Sequence, residues 1–176
     1  MARNYYDQIA KGYDELHYQE QSEKIKVVKT LITILPNSNI LDLGCGPYYG
    51  EWNVDNNSFM IKGCNVVGVD PSKELLKKAA AKGIKTILGK AEHLNTLGFK
   101  DKEFDYCISI TACQNFDDLD KAFSEIKRVS RRAVITFLKG TTGKNDEKKI
   151  ITALKQWFRI INIFDQSKDW IYMLEC

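Results

Sequence analysis

The sequence predicts an α/β fold: a doubly wound, seven-stranded sheet, mostly parallel, with an antiparallel strand at the C-terminal end. Three observations predict it. Short apolar runs alternate with segments of helical period, which requires crossover connections and therefore parallel strands with helices on both faces. The last two apolar runs, Ile160–Phe164 and Trp170–Leu174, are separated by a short turn, so they pair antiparallel or lie near each other through a tight connection. No repeat, low-complexity tract or Pro/Ser-rich linker interrupts the 176 residues, the length of one ordinary domain.

The elements follow in order. Ile25, Val28, Leu31, Ile32 and Leu35 recur at helical spacing until Pro36-Asn37-Ser38-Asn39 stops the pattern. Residues 1–35 therefore read as an N-terminal helical cap segment, and 36–176 as the core of one domain, 1–176. Ile40–Leu43 is a first strand and Asn65–Val69 a second. Ser72 caps the next helix, with Glu74 in its first turn and Gly83 just past its end. Ile84–Leu88 is a third strand and Phe104–Ile110 a fourth. Leu119, Ala122, Phe123, Ile126 and Val129 mark a helix, Ala133–Leu138 a fifth strand, and Ile150, Ile151, Leu154 and Trp157 a further helix.

Composition narrows the class. Apolar and charged fractions of 44% and 28% are those of a soluble globular chain, and no apolar run reaches the roughly 20 residues that span a bilayer. Asn4, Asp7 and Gln8 stand where a signal peptide would be apolar, so a cytoplasmic location is expected. Five cysteines without a C-x-x-C pair, and only two histidines far apart, read as reduced thiols and no metal site. From Lys121 onward twelve Lys/Arg face six Asp/Glu; this basic end suits an anionic substrate or RNA, or is simply a solvated helix surface.

In open parallel sheets, ligands bind beyond the carboxyl ends of the strands, so chemistry is sought in the loops there. The first loop reads Leu41-Asp42-Leu43-Gly44-Cys45-Gly46-Pro47. Its glycines let a ligand approach the backbone. Asp42 would disfavour a pyrophosphate and suits a ligand carrying an amino group and a sulfonium. The second loop, Val67-Gly68-Val69-Asp70-Pro71-Ser72, ends a strand on a carboxylate able to accept both hydrogen bonds of a ribose diol, or to cap a helix. The third is Gly89-Lys90-Ala91-Glu92-His93-Leu94, and the fourth Thr111-Ala112-Cys113-Gln114-Asn115-Phe116-Asp117.

These segments, in this order, resemble the class I S-adenosylmethionine-dependent methyltransferases, in particular the small-molecule-type group with L-D-L-G-C-G, V-G-V-D and G-x-A-E. Tyr6-Asp7-Gln8-Ile9-Ala10, followed by Tyr13-Asp14, is similar to the segment with which many of that group begin. The resemblance implies a Rossmann-like core and S-adenosylmethionine as cofactor. It places Asp42, Gly44 and Gly46 at the methionine part, Asp70 with Pro71 at the ribose, and Ala91 and Glu92 at the adenine. Thr111 and Gln114 would line the pocket near the methyl, with Asn115 just beyond, and Tyr5, Tyr6 and Tyr13 on a segment folding over the cofactor.

Three positions depart from the pattern. Tyr48 replaces the third glycine of the first loop. The span from Asp42 to Asp70 is longer than usual, with extra residues near Trp52–Phe59. Lys90 stands where the group carries a carboxylate, and lysine cannot accept a bond from the adenine amine. Glu92 or a backbone carbonyl substitutes, or affinity is reduced.

Methyl transfer from a sulfonium needs in-line positioning and a base only if the nucleophile loses a proton. No catalytic residue is assigned. Tyr5, His17 and Asn115 are the candidates, and a solvated histidine is the plainer reading of His17. Thr111-Ala112-Cys113-Gln114 is not the D/N-P-P-Y/F motif of amino-methyltransferases, which argues against nucleobase amines. The acceptor expected is a small molecule, with RNA or protein the other classes, and a partner subunit or homodimer is compatible with the absence of a substrate-lid insertion between the later strands. Two rival readings remain: a non-catalytic binding or partner protein on this fold, and a NAD-type oxidoreductase that uses Gly44-x-Gly46-x-x-x-Gly50.

Overall fold

A computed structural model describes the backbone of residues 5–48 and 63–176, and their side chains except at 5, 6 and 10–17. The insert near Trp52–Phe59 lies outside the described residues, as do the side chains of Tyr5, Tyr13 and His17. The chain runs as α1 (Tyr5–Leu31), β1 (Asn39–Leu43), β2 (Asn65–Asp70), α2 (Lys73–Ala81), β3 (Lys85–Leu88), β4 (Phe104–Ile110), α3 (Leu119–Val129), β5 (Ser130–Leu138), α4 (Glu147–Trp157), β6 (Arg159–Gln166) and β7 (Asp169–Glu175). A 3₁₀ segment, Ala91–Leu97, follows β3.

The strands form one seven-stranded sheet of order β3-β2-β1-β4-β5-β7-β6. The first five pair in parallel, and β7 is antiparallel to both β5 and β6. The order reverses direction between β1 and β4, which opens a crevice above the carboxyl ends of those strands.

Strand alternation divides the apolar side chains between two layers. Ile40, Tyr106, Ile108 and Val134 pack with Val28 of α1, Ile32 just past its end, and Leu76 and Ala79 of α2. Leu41, Cys107, Ile135 and Phe137 pack with Phe123 and Ile126 of α3 and Leu154 of α4. The face that α3 buries, Leu119, Ala122, Phe123, Ile126 and Val129, is the one its 3.6-residue period predicts. Phe137 stacks on Tyr172 at 5.5 Å between ring centroids, tying the closing hairpin to the second layer.

Local signals set most boundaries. Ser72 caps α2 by accepting from the Leu75 N–H, and Asp118 and Asp146 do the same for α3 and α4. The first helix departs from expectation: it ends at Leu31, and Leu35 is exposed while Ile34 is buried. Pro36 disfavours a helical conformation at Leu35, so the chain leaves the helix early and the other face of the segment turns inward. No described helix is long and apolar enough to cross a membrane, and the five cysteines are free thiols.

Candidate active site

The loops after β1, β2, β3 and β4 converge on a cavity of about 520 Å³, within the range of small-molecule sites. Asp42, Gly44 and Gly46 line it from the first loop, Asp70 and Pro71 from the second, and Lys90, Ala91 and Glu92 from the third. The fourth loop contributes Thr111, Asn115, Phe116 and Asp117. Gln21 and Ile25 close it from α1.

The glycine loop turns sharply because its backbone is left-handed. Gly44 has φ +74 and its N–H donates to the Val69 carbonyl (2.7 Å). A Cβ at Gly44 would lie 2.5 Å from the Ala112 Cβ, so the loops after β1 and β4 touch there. Gly46 has φ +54 and nothing within 4 Å of where a Cβ would stand: that volume belongs to the cavity. Tyr48, at the third glycine position, keeps the same left-handed backbone (φ +60) and is buried. The substitution therefore preserves the path of the loop and adds an aromatic ring to the layer beneath α1.

Asp70 is buried at the end of β2. One carboxylate oxygen accepts the Ser72 N–H (2.8 Å) and the other the Gly46 N–H (3.0 Å). Burial pushes its pKa above the usual carboxylate value, the two N–H bonds hold it down, and Asp7 adds to the rise. Asp70 thus joins two loops and faces the cavity, while Ser72 performs the capping.

Glu92 is also buried, and its Oε1 accepts the N–H groups of Asp117 (2.5 Å) and Asp118 (3.3 Å). It anchors the loop after β4 to the loop after β3. Lys90 extends to Asp117 Oδ2 (2.5 Å), and Lys144 holds Asp117 Oδ1. Those two lysines, Lys144 foremost, pull the Asp117 pKa down to about 2.

Thr111 adopts φ +53 directly after β4, with its N–H on Thr136 Oγ1 (2.9 Å). Its hydroxyl accepts from Lys24 Nζ (3.0 Å), a buried α1 cation that also pairs with Asp169 (2.9 Å) and Glu20 (2.8 Å). Gln114 is a correction: it does not line the cavity. The turn Cys113–Asn115 points its amide inward, where Oε1 is buried without a partner, and its carbonyl accepts from Asn145. His93 is exposed beside Lys121, as a surface histidine should be.

Sequence reasoning missed Lys24, Asp169, Asp117 and Asp7 as structural partners. Asp7 Oδ1 accepts the Ser72 hydroxyl (2.6 Å) and the Glu74 N–H (3.2 Å), latching α1 onto the positive N-terminus of α2. An acidic residue within the Tyr6-Asp7 motif was its only signal. The described residues hold no cluster of three or more metal-ligating side chains.

This strand order, with a glycine turn after β1 and an acidic end to β2, defines the class I methyltransferase fold, whose cofactor is S-adenosylmethionine. A methyltransferase-domain profile matches residues 41–138, more than half of the chain, and the chain belongs to that family. It is 33% identical over 129 residues to an uncharacterized protein of Methanocaldococcus jannaschii, MJ1123, covering 73% of this chain and 57% of that one. The chain spans about half the length of the curated relatives it matches. Among solved structures, a complex between the Haloferax volcanii Trm112 methyltransferase activator and a methyltransferase matches with TM-score 0.82 at 14% identity, over 99% of both chains. A SAM-dependent methyltransferase of Aquifex aeolicus matches with TM-score 0.75 at 18% identity, over 97% of this chain and 98% of that one.

Proposed function

We propose that this chain binds S-adenosylmethionine in the cavity above β1, β2 and β4 and directs its methyl group to an acceptor by in-line displacement. Bound there, the cofactor supplies an electrophilic methyl on a sulfonium. The chain's own part is to hold, orient and exclude water. Asp70 accepts from the ribose hydroxyls, with Pro71 beside it. Asp42, Gly44 and Gly46 receive the amino-acid part, Ala91 and Glu92 flank the adenine, and Thr111 and Asn115 face the side from which the acceptor enters. Tyr13, Tyr5 and His17 lie on α1, the helix that borders the cavity through Gln21 and Ile25.

The observation that carries this reading is Asp70. A buried carboxylate, fixed by two backbone N–H bonds, faces the open volume left by Gly46. Each oxygen retains a lone pair for a diol hydroxyl. The acceptor is a small molecule in this reading and the compartment is the cytoplasm, consistent with buried free thiols. The activator bound in one similar structure supports a partner subunit here too.

Calorimetric titration with S-adenosylhomocysteine, with NAD as control, tests the reading. Micromolar binding of the first and none of the second is expected, and Asp70→Ala should abolish it. Binding of NAD instead would sink the proposal, and binding of neither would favour a non-catalytic partner protein.

A further inference from the structure

The cavity wall where the loops after β3 and β4 meet has a peculiar charge arrangement. Lys90, Glu92 and Asp117 all line it. Lysine has only donors, and so has the amine of an adenine ring. Glu92 is buried, and its Oε1 accepts two backbone N–H groups that fix the loop after β4. Asp117 differs. It lines the cavity with its side chain 49% exposed; one oxygen is held by Lys90 and the other by Lys144, and each keeps a further lone pair.

We propose that Asp117 reads the exocyclic amine of the adenine ring in this chain, with Lys90 and Lys144 as the clamps that aim it. The acceptor carboxylate then comes from the loop after β4, and the position after Gly89 serves to hold it. The inference rests on the cofactor reading above. It turns Lys90 from a defect of the site into a positioning residue, since a lysine there is useful only with a carboxylate within its reach. The two clamps also keep Asp117 ionised throughout the neutral range, so it stays an acceptor.

The test compares S-adenosylhomocysteine with its analogue bearing unsubstituted purine, which lacks the amine. Affinities are measured by calorimetry for the unaltered chain, Asp117→Ala, Asp117→Asn and the double variant Lys90→Asp/Asp117→Ala. The unaltered chain should prefer the amine-bearing ligand by about tenfold, the size of one hydrogen bond to a charged acceptor. Asp117→Ala should lose that preference while binding the purine analogue as before. Asp117→Asn, which keeps the shape and one neutral acceptor, should fall between. The double variant should regain the preference by moving the carboxylate across the wall. Equal weakening of both ligands in Asp117→Ala, or no preference in the unaltered chain, overturns the inference and leaves the cofactor reading standing. Failure of the unaltered chain to bind either ligand overturns both.

Discussion

Gly44 and Asp70 constrain the cavity in different ways, one through space and the other through charge. At Gly44 an added methyl meets Ala112 at 2.5 Å and the φ of +74 is strained for any other residue. Gly44→Ala should destabilise the chain by about 1–3 kcal/mol in urea unfolding. Adding Ala112→Gly should recover only part, because it relieves the contact and not the backbone. At Asp70 the raised pKa means that ionisation opposes folding. Its contribution to stability is therefore fully present below the unfolded value and is lost as pH rises through the folded one. Ligand binding has the opposite sign, because the diol needs the ionised acceptor. Affinity for S-adenosylhomocysteine should fall on acidification toward the Asp70 titration, beginning above the ordinary 3.8. Calorimetry between about pH 7.5 and about pH 5 checks this, and an affinity that rises with acid would contradict it.

Asp7 and Lys24 fasten helix α1 to the core. Asp7 joins it to the start of α2, and Lys24 joins it to Asp169 at the start of β7 and to Thr111 beyond β4. The Lys24–Asp169 pair is almost fully buried, with side-chain exposures of 4% and 2%. Removing one partner leaves a desolvated charge, so Lys24→Met should cost about 3–5 kcal/mol. Lys24→Met with Asp169→Leu should recover most of that loss, since the pair is then replaced by apolar packing. Denaturant titration distinguishes the cases. Equal losses in the single and double variants would mean that the pair contributes by shape alone. The same pair bears on the site, because Thr111 holds its left-handed backbone between Lys24 and Thr136.

For the molecule as a whole, the described residues that line the cavity come from four loops and from two helices, α1 and α2, so a ligand there binds only the folded chain. S-adenosylhomocysteine at about a hundred times its Kd should stabilise the chain by about 2.7 kcal/mol. For a domain of this size that corresponds to a rise in Tm of roughly 5–10 °C. Thermal unfolding with and without the ligand measures it, and an unchanged Tm at saturation would contradict the cofactor reading. The strand–helix alternation, the capping of α2 by Ser72, and Asp42, Gly44, Gly46 and Asp70 at the cavity were all legible in the order of residues. Each rests on local physics: apolar period, cap chemistry, a left-handed turn or a carboxylate at a strand end. Lys24 on Asp169, Asp117 between Lys90 and Lys144, and the inward turn of Gln114 were not legible. Those pairings arise only when the sheet brings the loops after β3 and β4, and α1 with β7, side by side, and no short stretch of sequence records that adjacency.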